Sequence, residues 1–227
     1  MSYPGGKAAP GVFQTIINLI PPHHVYIEPF LGAGAVMRLK APAACSIGVD
    51  IDYAAIAAIA PTIPMTVKLI CADALAYLDL YPWTGTEFVY CDPPYLMEVR
   101  SSKRKIYRHE FSSIDQHEQL LSLLLKLPAA VMISGYPSDL YSRLLPTWEL
   151  TTFNAVTRSG RTAKECLWMN YRPPQALHDY RYLGRDFRER ERIKRRQHRW
   201  KRRLVMMDPL ERAALLLAIQ DLGTPSP

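Results

Sequence analysis

Short β-rich apolar runs alternate with segments of helical spacing through the first three quarters of the chain. Val12, Phe13, Ile16, Ile17 and Ile20 share a helical face, and Pro21-Pro22 ends the helix they predict. Val25–Glu28 reads as a strand, and Pro29-Phe30-Leu31-Gly32-Ala33-Gly34 as a glycine-rich turn into a helix. Ser46–Val49, Val67–Cys71, Glu87–Cys91 and Ala130–Ile133 predict further strands, with helices over Tyr53–Ala60, Gln116–Lys126 and Ser138–Leu145 between or after them. Two final β-runs, Trp148–Val156 and Glu165–Tyr171, flank a polar glycine-containing loop and predict an antiparallel hairpin at a sheet edge. The alternation of strands and helices predicts an α/β fold with a mostly parallel sheet.

Four strand ends carry a carboxylate: Glu28, Asp50, Asp73 and Asp92. In a parallel α/β sheet that edge is where ligands bind. Asp50 lies 16 residues past Gly34, at a spacing suited to ribose hydroxyls, while Asp52 is a candidate helix cap. The third glycine of a dinucleotide fingerprint is absent, which argues against NAD or FAD. Asp92-Pro93-Pro94-Tyr95 follows the strand Glu87–Cys91 directly. Its prolines fix φ and remove N–H donors, so the strand cannot continue. A rigid turn results, offering a carboxylate, free carbonyl oxygens and a flat ring. That set suits a planar substrate bearing an amino group, although four residues alone also fit an ordinary strand-to-loop turn.

Charge changes the picture at one place. Residues 181–203 hold 12 Arg and Lys against 3 Asp and Glu, a net of +9, whereas the whole chain is +7 and the remainder therefore −2. A long charged helix is predicted over Asp179–Leu204, followed by Asp208-Pro209-Leu210-Glu211 as cap, first-turn proline and capping-box glutamate of a last helix. The expected organisation is a globular domain over 1–176 and a basic helical extension over 177–227. Such localised basicity points to a polyanion. The cysteines Cys45, Cys71, Cys91 and Cys166 sit singly in apolar stretches, with no metal or redox spacing, so no metal is expected. Cys91 precedes Asp92 on a strand and is expected to face the opposite side, against a catalytic thiol. No apolar run reaches membrane-spanning length and no signal pattern opens the chain, so a soluble, cytoplasmic protein is expected.

Pro4-Gly5-Gly6-Lys7, then Glu28-Pro29-Phe30-Leu31-Gly32-Ala33-Gly34, then Asp92-Pro93-Pro94-Tyr95 resemble, in that order, the DNA adenine-N6 methyltransferase family, its short phage and prophage members above all. The resemblance spans about residues 2–171. It implies S-adenosylmethionine as methyl donor and a Rossmann-like, seven-stranded sheet with an antiparallel edge hairpin. By matching position, Lys7, Gly32 and Gly34 would surround the cofactor's methionine end, with Phe30 also in contact. Glu28 would face its amino group, Asp50 its ribose and Asp73 its adenine. Asp92, Pro93 and Tyr95 would hold a flipped target adenine. A sizeable recognition insert is usual in family members with a defined target, yet only 18 residues separate Asp73 from Asp92 here. DNA contacts are therefore expected from the loop bearing Arg100, Lys103, Arg104 and Lys105, the turn bearing Arg158 and Arg161, and the helix bearing Lys194, Arg195, Arg196 and Arg199, with a short or degenerate target. Methylation of RNA or of a protein amide by the same turn, and an inactive DNA-binding relative, are the alternatives.

Overall fold

Alternation along the strands sorts the core onto two faces of one sheet. In β1 (Val25–Glu28), Val25 and Ile27 face one side and Tyr26 and Glu28 the other; in β4 (Glu87–Cys91), Val89 and Cys91 oppose Phe88 and Tyr90. Both faces are apolar because helices cover both, as parallel strands require. The computed structural model describes residues 6–100, 108–156, 160 and 162–221.

Seven strands form the sheet in the order β3-β2-β1-β4-β5-β7-β6. Strands β2 (Cys45–Asp50), β3 (Val67–Cys71) and β5 (Ala130–Gly135) run parallel to β1 and β4. The expected hairpin is present: β7 (Thr162–Met169) pairs antiparallel with β5 and with β6 (Glu149–Val156). Together these give the Rossmann-like, mostly parallel sheet with an antiparallel edge. The chain leaves β1 toward β2 and β3, then crosses to β4, so a crevice opens beyond the ends of β1 and β4.

One face is packed by α4 (Ala74–Leu80), α5 (Ile114–Leu124) and α6 (Asp139–Leu144), through Leu78, Leu120, Leu121, Leu124, Leu140 and Tyr141. The opposite face is packed by α1 (Val12–Ile17), α2 (Ala35–Leu39) and α3 (Tyr53–Ile59), through Ile16, Ile17, Val36, Met37, Ile56 and Ile59. Helix α1 stops short of Ile20, whose N–H bonds instead to the Ile17 carbonyl in a tighter turn. Helix α5 starts two residues before the expected Gln116. Ser113 caps it and exchanges hydrogen bonds with Gln116, so both ends of the capping box are satisfied.

The first unit runs to Tyr182, and Asp179 does not begin a helix. The buried Asp179 carboxylate accepts from the Ala41 N–H at 2.8 Å and pairs with Arg181 at 2.7 Å. The Tyr182 ring meets Phe13 edge-on, with centroids 5.1 Å apart. Tertiary contacts thus hold residues 178–182 out of a helix, where charge patterning alone predicts one. A second unit begins at Leu183. It contains α7 (Phe187–Met206), capped by Asp186, and α8 (Pro209–Asp221). No residue of α7 is buried.

Candidate active site

The crevice at the ends of β1 and β4 deepens into a cleft of about 990 Å³, its open mouth included. Glu28, Asp50, Asp73 and Asp92 all line it, together with Lys7, Phe30, Gly32 and Gly34. The four strand-end carboxylates therefore converge.

The glycine-rich turn is shaped by backbone freedom and by one carboxylate. Gly32 and Gly34 have φ of 48° and 55°, left-handed values that suit glycine. A Cβ on Gly34 would also collide with Ile59 Cδ1 and come within 3.3 Å of Leu31 Cδ1. Asp50, the last residue of β2, accepts from Gly32 N–H at 2.7 Å through Oδ2 and from Asp52 N–H at 2.9 Å through Oδ1. Its carboxylate thus ties the turn to β2, and burial raises its pKa. Asp52 caps α3 and Asp73 caps α4, each accepting at 2.9 Å through one oxygen.

Glu28 is buried at the end of β1. Its Oε2 accepts from Tyr26 O–H at 2.9 Å and from Met37 N–H at 3.1 Å. Burial, opposed by those hydrogen bonds, pushes its pKa up to about 8. Oε1 has no partner among the described residues.

Across the cleft, Asp92 Oδ1 meets the Lys7 ammonium at 2.8 Å and accepts from Ser134 O–H at 2.7 Å. Oδ2 has no partner among the described residues. Lys7 also donates to the Tyr95 hydroxyl at 2.7 Å, and that hydroxyl donates to Glu165 Oε2 at 2.6 Å. Burial, and then the Asp92 carboxylate, push the Tyr95 hydroxyl well above its ordinary range, so it is neutral. The Tyr136 ring meets Tyr95 edge-on at 4.6 Å. Lys7 thus sits on Asp92 and Tyr95, 85 and 88 residues along the chain.

The turn itself is anchored from behind. His117 Nε2 lies 3.1 Å from both the Pro94 and Phe111 carbonyls, and Nδ1 lies 2.7 Å from the Tyr141 hydroxyl. Two carbonyls at Nε2 require the proton there, leaving Nδ1 to accept from Tyr141. Burial lowers the His117 pKa to about 4, which keeps the ring neutral. Pro93 is buried, and among the described residues none donates to its carbonyl.

Arg100 departs from expectation. Its side chain is buried, with Nε donating to the Tyr95 carbonyl at 2.6 Å and Nη1 paired with Glu110 at 3.0 Å. It braces the turn and is not presented as an open phosphate contact. Lys103, Arg104, Lys105, Arg158 and Arg161 lie outside the described residues. Lys194, Arg195, Arg196 and Arg199 are exposed on α7. Cys91 is fully buried on the opposite face and its thiol pKa is raised by burial, as alternation requires. Among the described residues there is no metal-ligating cluster, and no helix is long and apolar enough to cross a membrane.

Glu165, Ser134, His117 and Tyr136 were not legible as site residues. The strand-end position of Ser134, one residue from Gly135, is the nearest thing to a signal among them.

Residues 51–158 match the model of the D12 class N6 adenine-specific DNA methyltransferase family. That stretch includes Asp73 and the Asp92–Tyr95 turn, while Lys7 and the glycine-rich turn precede it. A search of the curated proteins finds no match. Among solved structures, an rRNA methylase from Streptococcus thermophilus is 14% identical with a TM-score of 0.44, over 70% of this chain and 92% of that one. A dimethyladenosine transferase from Plasmodium falciparum is 14% identical with a TM-score of 0.46, over 71% and 62%. Magnesium protoporphyrin IX methyltransferase from Synechocystis PCC 6803, solved with bound SAM, is 12% identical with a TM-score of 0.45, over 71% and 76%.

Proposed function

We propose, from the premise that this chain is a methyltransferase using S-adenosylmethionine, that its acceptor is the N6 amino group of adenine in DNA. The observation that carries the reading is the placement of Asp92. It directly follows β4 at the crossover point, in the same cleft as the glycine-rich turn, with one oxygen secured and the other open.

The cleft's donor set fits the cofactor. S-adenosylmethionine carries an ammonium, a sulfonium and a ribose diol, and acidic side chains dominate the wall where it would lie. Glu28 would face the ammonium and Asp73 the adenine, with Phe30, Gly32 and Gly34 around the methionine end. Asp50 already holds Gly32 and Asp52 in place, so its part is to shape the loop as much as to meet the ribose. Bound there, the cofactor supplies an electrophilic methyl group.

The remaining work belongs to side chains of the turn. An aromatic amine is a weak nucleophile because its lone pair is delocalised into the ring. Asp92 Oδ2 and the Pro93 carbonyl accept its two hydrogens, which favours a pyramidal nitrogen and stabilises the positive charge that develops on it. Lys7 and Ser134 hold Asp92 Oδ1, so the carboxylate does not reorient as the base enters. Tyr95 stacks on the base, worth about 1–3 kcal/mol on aromatic–base precedent. A paired base cannot reach this cleft, so the adenine is extruded from the duplex. Phosphate contacts come from the exposed basic face of α7, where Lys194, Arg195, Arg196 and Arg199 lie.

The test supplies labelled S-adenosylmethionine with unmodified duplex DNA, RNA or bulk protein, comparing wild type with Asp92→Asn and Asp92→Ala. Label recovered as N6-methyladenine in DNA, and lost in both variants, supports the reading. Transfer confined to RNA or protein overturns it.

A further inference from the structure

Strand β7 carries the buried run Glu165-Cys166-Leu167-Trp168-Met169, whose first member is a carboxylate. An unpaired buried carboxylate is strongly unfavourable, so its surroundings show what it is for. Glu165 Oε2 accepts from Tyr95 O–H at 2.6 Å and lies 3.8 Å from the Lys7 ammonium, which itself sits 2.8 Å from Asp92. One cation thus stands between two carboxylates, close to one and about an ångström further from the other. The tyrosine hydroxyl bridges the arrangement, accepting from Lys7 and donating to Glu165.

We propose that Glu165 is a positioning residue for methyl transfer, acting through Tyr95 and Lys7 on the Asp92 carboxylate. This rests on the reading of Asp92–Tyr95 as the acceptor pocket. Two physical consequences define the role. By accepting the Tyr95 hydrogen bond, Glu165 orients the hydroxyl as an acceptor toward Lys7, which locks the ring that stacks on the substrate. By offering a second anion 3.8 Å away, it helps to fix the Lys7 ammonium against Asp92 Oδ1, so that the carboxylate keeps its orientation as the base enters. A glutamine keeps an acceptor for Tyr95 but removes the second anion; an alanine removes both. Tyr95→Phe keeps the ring but breaks the bridge.

The experiment measures kcat, the KM for the nucleic acid and S-adenosylmethionine affinity for wild type, Glu165→Gln, Glu165→Ala, Tyr95→Phe and the double variant Glu165→Ala/Tyr95→Phe. The expected result is a kcat loss of about tenfold or more in Glu165→Ala, short of the ~100-fold that a 1 Å misplacement can cause. Cofactor affinity stays within about twofold and the melting temperature moves by no more than about 4 °C. Glu165→Gln recovers part of the loss. Because Glu165→Ala and Tyr95→Phe both cut the Tyr95–Glu165 link, the double variant loses less than the two single losses combined. An unchanged kcat, additive losses in the double variant, or a fall in cofactor affinity parallel to the fall in kcat would each overturn the assignment. The comparison is read on whichever acceptor the wild type methylates. Transfer to RNA alone therefore sinks the DNA reading and leaves the role of Glu165 to be judged, whereas no transfer to any acceptor sinks both.

Discussion

The proposed place of Glu28 beside the cofactor's ammonium carries a proton signature. Its carboxyl is buried at the end of β1 and titrates at about 8, because burial disfavours the charged form more than its two hydrogen bonds favour it. A group titrating at about 8 is about 97% protonated at pH 6.5. In the cofactor's absence this raised pKa adds stability that is fully present below about 4.5 and is lost as the pH rises through about 8. An ammonium placed against Oε1 reverses the balance by favouring the carboxylate. If it returns the pKa to the ordinary carboxylate range, binding at pH 6.5 releases about 0.9 proton. The cofactor's own α-amino group is then already almost wholly protonated and contributes little. Titration calorimetry with S-adenosylhomocysteine, the demethylated product, in two buffers of different ionisation enthalpy reads the number directly. Release of about 0.9 proton in wild type, absent in Glu28→Gln, is the expected outcome. Release below about 0.3 proton would contradict a cation binding beside a protonated Glu28.

Gly34→Ala combines a left-handed φ of 55° with a Cβ directed at Ile59 Cδ1. The backbone term is ~1–2 kcal/mol and crowding adds ~1 kcal/mol, at the low end because a side-chain tip can yield. Urea unfolding should show a loss of about 2–3 kcal/mol together with weaker cofactor binding, and a loss below about 0.5 kcal/mol would contradict the close approach. Replacing Lys194, Arg195, Arg196 and Arg199 together by alanine should flatten the salt dependence of DNA binding by up to about 3.6 in log–log slope, at roughly 0.9 per phosphate contact. An unchanged slope in fluorescence anisotropy titrations across potassium chloride concentrations would remove α7 from the DNA contact.

Local pattern carried much of the fold. Period-two alternation in Glu87–Cys91 placed Cys91 away from the cleft, and each strand-end carboxylate emerged at the edge where the topology opens. What local pattern cannot express is who meets whom. Lys7 reaches Asp92 across 85 residues, and Glu165 reaches Tyr95 across 70. Glu165 looks like an ordinary edge-strand polar position until the register of β5 and β7 buries it. The helix expected from Asp179 begins only at Phe187 for a related reason, since charge periodicity favours helix while the Ala41, Arg181 and Phe13 contacts hold residues 179–182 out of one. Arg100 lies in a basic stretch and resembles its neighbours in sequence, although its guanidinium is committed to the Tyr95 carbonyl and Glu110. The cap of α5 is local and legible, because Ser113-Ile114-Asp115-Gln116 has the spacing of a capping box.

The central claim is that the open oxygen of Asp92 receives the amino group of a DNA adenine. Mass spectrometry of nucleosides from a bacterial host devoid of adenine methylation, expressing either the wild type or Asp92→Ala, tests it most directly. N6-methyladenine in the DNA of cells with the wild type, and its absence with the variant at equal protein level, is the predicted result. DNA free of N6-methyladenine while methylated nucleosides rise in RNA, or equal N6-methyladenine with both proteins, would contradict it.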